Sequence, residues 1–332
     1  MKHISNSGIT VPIIRGLLLR TALSLGFFAY PLGNPHANAQ GTTTTTTTEE
    51  RIIVLGDDIG SAYGAPGAFS RTRFAPLTTA YVLPPWNFYF GSIYEGDAFR
   101  EGLPLNKFTE EMELGLPHRF GVATELGFER FNGGGGPSAI SVEARYAFAD
   151  WGKIPLNPTL FAEYKFGVGT IRREEGPPPA EEEEEEEEEG GAPQRPDAYE
   201  FRLLLADEFC QRYEWAMNLF FEMEPTGDRG REWGVAQSIV TPILLPREQL
   251  KVGVEMEYKN FTVKDTRGDP ENSFVIGPTV SYRTSKSTRL DFSALAGVND
   301  ESPAVQVFAV FSWILGPGGE EHGEAPVSTR NR

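Results

Sequence analysis

The stretch Ile140-Ser141-Val142-Glu143-Ala144-Arg145-Tyr146-Ala147-Phe148 decides the fold. Ile140, Val142, Ala144, Tyr146 and Phe148 occupy every second position, and Ser141, Glu143 and Arg145 stand between them. A period of two puts these sets on opposite faces of a β-strand. The pattern returns at Val305, Val307, Ala309, Phe311 and Trp313, with Gln306 and Ser312 among the residues between. By the same period, twelve strands are expected near residues 86–95, 107–116, 119–131, 138–149, 157–171, 197–208, 211–225, 231–245, 249–263, 272–285, 287–299 and 303–316. Most are close to the ~9–11 residues that a tilted strand needs to cross hydrocarbon. The expected fold is all-β, a transmembrane antiparallel up-and-down β-barrel of about twelve strands.

The amino terminus points to export. Lys2, Arg15 and Arg20 mark an acid-free start, Thr21 to Tyr30 is a short apolar stretch, and Ala37-Asn38-Ala39 offers a small-x-small cleavage site before Gln40. Residues 1–39 are therefore expected to be a signal peptide. Arg20 interrupts the apolar run, and nothing downstream supplies the ~20 apolar residues of a spanning helix. Insertion of the mature chain in a membrane must then use strands. Thr42 to Thr48 followed by Glu49 and Glu50 form a low-complexity tether. Arg51-Ile-Ile-Val-Leu55 opens a Gly/Ala/Ser-rich segment to about Arg73, too short for the plug of a TonB-dependent transporter. Residues 40–85 are expected to be a periplasmic extension, partly disordered, or else a small insert in the lumen.

Composition limits the function. The formal net charge is -17, and loss of residues 1–39, with three basic groups and no acids, leaves 27 basic against 47 acidic groups. Nucleic acid is not an expected partner of such a chain. Cys210 is the only cysteine, so there is no intramolecular disulfide framework. No cofactor and no metal site is expected. Catalysis is disfavoured because His3 and His36 fall in the signal, His118 in a tight turn and His322 in the tail, leaving no histidine to activate a nucleophile on a strand.

The connections test the barrel independently, since membrane barrels have short turns at one rim and longer loops at the other. Connections after even-numbered strands are tight, as at Leu116-Pro117-His118, Phe209-Cys210, Leu245-Pro246-Arg247-Glu248 and Ser285-Lys286. Those after odd-numbered strands are longer or more polar, including Asn132–Pro137, Thr226–Gly230, Lys264–Glu271 and residues 172–196. Only Trp151 to Leu156 breaks this alternation. A soluble β-sandwich has the same period but no need for it.

One face of each strand is expected to meet lipid. The clearest sets are Phe120, Val122, Leu126 and Phe128; Tyr164, Phe166 and Val168; Tyr213, Trp215, Met217, Leu219 and Phe221; Leu250, Val252, Val254, Met256 and Tyr258; and the carboxy-terminal set already quoted. The other face would line the lumen with Glu111, Glu113, Glu125, Glu143, Arg145, Glu163, Lys165, Arg202, Arg212, Glu214, Lys251, Glu255 and Glu257. These mixed charges allow two readings, a ladder that fills and stiffens a narrow barrel or a selective path for a small solute.

The hairpin Glu111-Met-Glu-Leu-Gly-Leu-Pro-His-Arg-Phe-Gly-Val-Ala-Thr-Glu-Leu126, preceded by Thr79-Ala-Tyr-Val-Leu-Pro84, resembles the outer-membrane barrel family assigned to the meta-pathway of phenol degradation, a group of transporter-like proteins. The likeness covers about a sixth of the chain. It implies a bacterial outer-membrane location and passage of hydrophobic or aromatic compounds, and it carries no functional residue with it. Passive transport of a small organic solute, with membrane lipid as the surrounding partner, is the expected function. A closed structural or surface-interaction barrel without transport is the alternative. The tail 317–332 is Gly/Pro/Glu-rich and expected to be disordered.

Residues 172–196 hold Pro177-Pro178-Pro179 and nine consecutive glutamates, Glu181 to Glu189, which neither a ladder nor a core accepts. Deleting Glu181–Glu189 should leave assembly unchanged, read as retained heat-modifiable migration on a gel. Loss of the folded band would mean that the acidic run is structural.

Overall fold

The computed structural model describes residues 61–131, 134–169, 194–210, 212–244 and 249–316. The expected signal, the threonine tract, the run Glu181–Glu189 and the tail 317–332 lie outside the described residues. Two short strands, β1 (Arg73–Ala75) and β2 (Thr78–Thr79), form a hairpin. Twelve long strands follow: β3 (Phe88–Ala98), β4 (Leu105–Leu116), β5 (Phe120–Phe131), β6 (Gly134–Ala147), β7 (Thr159–Gly167), β8 (Ala198–Phe209), β9 (Tyr213–Met223), β10 (Arg231–Leu244), β11 (Leu250–Thr262), β12 (Glu271–Arg283), β13 (Thr288–Gly297) and β14 (Val305–Leu315). Each pairs antiparallel with its sequence neighbours, and β14 pairs with β3 from Val305↔Ala98 to Leu315↔Phe88. The protein is a closed barrel of twelve antiparallel strands.

The alternation of burial follows the alternation of polarity. On β13, Arg289, Asp291, Ser293 and Leu295 are buried while Phe292, Ala294 and Ala296 are exposed. On β14, Gln306, Phe308, Val310 and Ser312 are buried against exposed Val305, Phe311 and Trp313. Most polar groups are thus inside and most large apolar ones outside, the inverse of a soluble core. Val254 and Phe292 are 45% and 50% exposed, and similar residues recur around the ring. Such a surface fits hydrocarbon, and the chain is a transmembrane barrel of the outer-membrane type. The outward sets read from the sequence lie on this face with one exception, since Val168 stands just past the end of β7.

Turns at one rim are tight because residues there adopt left-handed backbone. His118 (φ 63°) and Arg119 (φ 65°) join β4 to β5, and Cys210 (φ 55°) stands between β8 and β9. Longer connections lie at the opposite rim, except between β5 and β6, where pairing continues to Phe131↔Gly134 and takes in most of the expected loop Asn132–Pro137. The connection from β6 to β7 is the long exception on the short-turn side, and its Trp151 has a reason to be there. It packs against the segment that fills the barrel, with its ring centroid 4.7 Å from that of Phe69 and 5.3 Å from that of Tyr81.

Of the two expectations for residues 40–85, the described part, residues 61–85, follows the lumen insert and not the periplasmic extension, because it is packed inside the barrel. Ala62, Ala65, Phe69, Ala80, Tyr81 and Val82 are fully buried, and they share a core with inward-facing Ala147, Ala206, Ala216 and Val240 of the wall. The wall carries small residues at these positions and the insert carries the large rings, so the two volumes are complementary. Gly64, at φ 89°, lets the insert reverse within this confined space, with the Ala65 amide donating to the Ala62 carbonyl at 3.0 Å.

The register of β11 yields a direct test. Val254 faces outward near mid-strand, whereas Glu255 is buried and accepts hydrogen bonds from Ser238 (3.0 Å) and Ser293 (2.6 Å). Val254→Arg should cost about 2–4 kcal/mol in a refolding titration in lipid. Glu255→Gln should cost about 1 kcal/mol, since it weakens hydrogen bonds to a charge without emptying the site. The reverse order would mean that β11 is turned over.

Candidate functional site

The insert is held by named groups at mid-barrel. The Thr79 amide donates to Asn218 Oδ1 at 2.9 Å, and Asn218 Nδ2 donates to the Thr79 carbonyl at 2.7 Å. This reciprocal pair completes the backbone of β2 as a neighbouring strand would. Thr78 donates to Ser238 at 2.8 Å, Thr72 donates to Glu113, and Arg73 Nε donates to Glu111 at 3.1 Å. Arg289 donates to the Phe74 carbonyl at 3.3 Å, and its Nε pairs with Asp291 at 2.8 Å. Nearer the short turns, Tyr81 donates to the Ala149 carbonyl at 2.6 Å and Tyr63 to that of Leu116 at 2.9 Å. The insert therefore belongs to the lumen wall chemically as well as sterically.

Above it, on the long-loop side, lies a cavity of about 420 Å³. Its lining includes Arg73 and Leu77 of the insert and charged side chains from β3, β4, β5, β7, β8, β9, β10 and β11. The lumen is thus divided into a filled half near the short turns and a charged vestibule near the long loops.

The lumen residues expected from the sequence fall in both halves. Arg145 is buried and binds three carboxylates, Glu113 at 2.7 Å, Glu143 at 2.9 Å and Glu111 at 3.1 Å. Glu214 and Lys251 pair at 2.7 Å on the short-turn side, and Glu255 holds the two serines already named. Glu125, Glu163, Lys165, Arg202 and Glu257 line the vestibule. Lys165 reaches Glu200 at 2.9 Å and also binds Glu222, while Arg202 binds Glu200. The Arg202 and Arg145 guanidinium groups lie 4.8 Å and 5.3 Å from the centroid of the Phe161 ring between them. Arg212 is the correction: it stands in the turn after β8, exposed, 6.0 Å over the Tyr213 ring, because β9 begins only at Tyr213 and the inward parity of Glu214 does not extend back into the turn.

Sequence reading missed Glu95, Lys107, Glu222 and Glu232 of the vestibule, together with the anchor Asn218. Lys107 pairs with Glu95 at 3.2 Å and Lys259 with Glu257 at 3.1 Å. Glu95 and Lys107 had a legible signal, since both share the inward parity of their strands. Glu111, Glu125 and Glu143 bring carboxylate oxygens within 4.8 Å of one another, with Arg73 and Arg145 as counter-charges.

No family model and no curated protein matches this sequence, so the hairpin resemblance to the phenol-degradation family has no support from a family model. Among solved structures, the COG4313 outer membrane channel from Pseudomonas putida F1 is similar over 71% of this chain and 97% of that one, at 9% identity and a TM-score of 0.48. The KdgM porin is similar over 68% of this chain and 98% of that one, at 11% identity and a TM-score of 0.42. The NanC porin covers 69% and 99%, at 8% identity and a TM-score of 0.42.

Two substitutions separate the anchors from the frame. Asn218→Ala leaves the Thr79 amide and carbonyl without their side-chain partner and should cost about 2–4 kcal/mol locally. Faster hydrogen exchange over residues 72–82, with an intact barrel, is the expected readout. Arg145→Met strands three buried carboxylates and should cost about 3–5 kcal/mol, read as a lowered unfolding midpoint of the whole barrel.

Proposed function

We propose that this protein is a bacterial outer-membrane barrel for passive passage of small solutes, with residues 61–85 as the element that closes the lumen on the short-turn side. The supporting observation is the vestibule. A barrel built only to be rigid gains nothing from a charged cavity of about 420 Å³ beneath its long loops, whereas a channel needs a place where a solute loses bulk water against fixed charges. The insert supports the same reading. It is short and contributes only a two-strand hairpin of its own, which is no part of the closed ring β3–β14.

The vestibule chemistry favours small polar solutes over the hydrophobic or aromatic compounds implied by the hairpin resemblance. Its lining is dominated by carboxylates, lysines and arginines, and the apolar side chains among them, such as Ile93, Leu77 and Phe308, are few. A hydrophobic solute entering there would strip water from these groups without replacing it. The buried hydrogen bonds of the insert favour a second reading, a permanently closed structural barrel.

Conductance in planar bilayers decides between the two. The full chain should show low or intermittent conductance, and deletion of residues 61–84 should raise it about tenfold or more, because that segment fills the short-turn half of the lumen. Heat-modifiable migration checks that the deletion variant is folded. A full chain that never conducts, while the folded deletion variant does, would overturn the channel reading in favour of the closed barrel.

A further inference from the structure

The pairing register places glutamates directly opposite one another on consecutive strands. Glu143 of β6 is the partner of Glu163 on β7, Glu163 of Glu200 on β8, Glu200 of Glu222 on β9, and Glu222 of Glu232 on β10. Glu125 of β5 is the partner of Ser141, two residues along β6 from Glu143 on the same face, and is itself the partner of Glu111 on β4. Like charges in directly opposed positions repel, so four successive occurrences, with the separate pair Glu111 and Glu125 beside them, work against the stability of the sheet. In a barrel of tilted strands the pairing direction is inclined to the barrel axis. The row therefore climbs from Glu143, four residues from the short-turn end of β6, to Glu232, one residue from the long-loop end of β10.

Cations flank this row without neutralising it. Arg145 and Arg202 stand two residues away on its short-turn side, and Lys165 two residues away on its long-loop side. The vestibule lining holds eight glutamates against five arginines and lysines, an excess of three negative charges. The deficit is greatest at two positions. Glu125 has Arg73 only at 3.7 Å, and that arginine is held closer by Glu111. Glu163 has Lys165 only at 3.8 Å, and that lysine is engaged by Glu200 and Glu222. The Glu163 side chain is 2% exposed, lines the cavity, and keeps its Oε1 without a hydrogen-bond partner among the described residues.

We propose that this glutamate row is a cation track, which draws inorganic and ammonium cations from the long-loop rim to a site at Glu125 and Glu163 on the vestibule floor. An entering cation supplies the partner that Glu163 Oε1 lacks and relieves the opposed carboxylates. Carboxylate oxygens are the donors that hard cations take. A negative lumen excess also raises the local cation concentration and repels anions. The inference rests on the channel reading for ion passage, but binding at the floor does not.

Two measurements on the full-length protein test it. In planar bilayers under a KCl gradient, the reversal potential should show potassium favoured over chloride by about threefold or more, falling toward equality in the Glu125→Gln/Glu163→Gln double variant. Calcium titrated calorimetrically into the detergent-folded protein should bind about tenfold more weakly to the double variant than to the wild type, so that the contribution of the acidic run Glu181–Glu189 cancels. Should the double variant fail to fold, Glu222→Gln at the more exposed end of the row serves in its place, with a smaller change of the same sign. A channel that conducts without cation preference, or calcium binding unchanged in a folded variant, overturns the track. A protein that does not conduct but loses calcium affinity on substitution upholds the floor site and refutes the channel reading alone.

Discussion

Ring closure between β14 and β3 is the constraint on which the rest depends. In hydrocarbon no water is present to satisfy a free amide or carbonyl, so a sheet with an edge is not tolerated there. The eleven pairs from Val305↔Ala98 to Leu315↔Phe88 remove that edge along the full length of both strands. Closure in turn fixes an even strand number, inside–outside alternation on every strand, and an interior of set width. That interior is too wide for the wall's own small residues to fill and narrow enough that a 25-residue segment can occupy half of it.

The two halves of the interior solve the filling problem differently. Near the short turns the wall supplies alanines and the insert supplies Phe69, Phe74 and Tyr81, so the contact is a conventional apolar core. Toward the long loops the wall supplies long charged side chains that reach across the space themselves. Arg145 marks the junction. It compensates Glu111, Glu113 and Glu143 together, while Thr72 of the insert reaches the same Glu113 and Arg73 the same Glu111. The insert and the charged wall thus share carboxylates, and movement of one alters the pairing of the other.

The strands were legible because their signal is local: a run such as Val305 to Leu315 carries its period of two within itself, and all twelve expected segments overlap an observed strand. The insert was not legible in this way. Ser61 to Pro85 has no period, and its Gly, Ala and Ser residues read equally well as a loose extension or as a tightly packed filler. Trp151 was the one hint, as a bulky residue in a turn that broke the alternation of connection lengths. Arg212 was misread because parity was carried through a turn. The partnership of vestibule glutamates was beyond local reading, since Glu163 and Glu200 meet only through a register set across the connection from β7 to β8.

The acidity of the chain takes on structural meaning once that register is known. A charge ladder built only for rigidity would alternate signs between opposed positions, because opposite pairs stabilise and like pairs do not. Lys107 of β4 does this, facing Glu95 on one side and Glu129 on the other. The row from Glu143 to Glu232 does the opposite on five consecutive strands, and the cations that offset it are displaced to i+2 positions. Sheet stability alone would not favour this arrangement. It is the arrangement expected where fixed negative charge along a path is itself the useful property, with Lys165, Arg145 and Arg202 close enough to keep the barrel folded and too few to cancel the field.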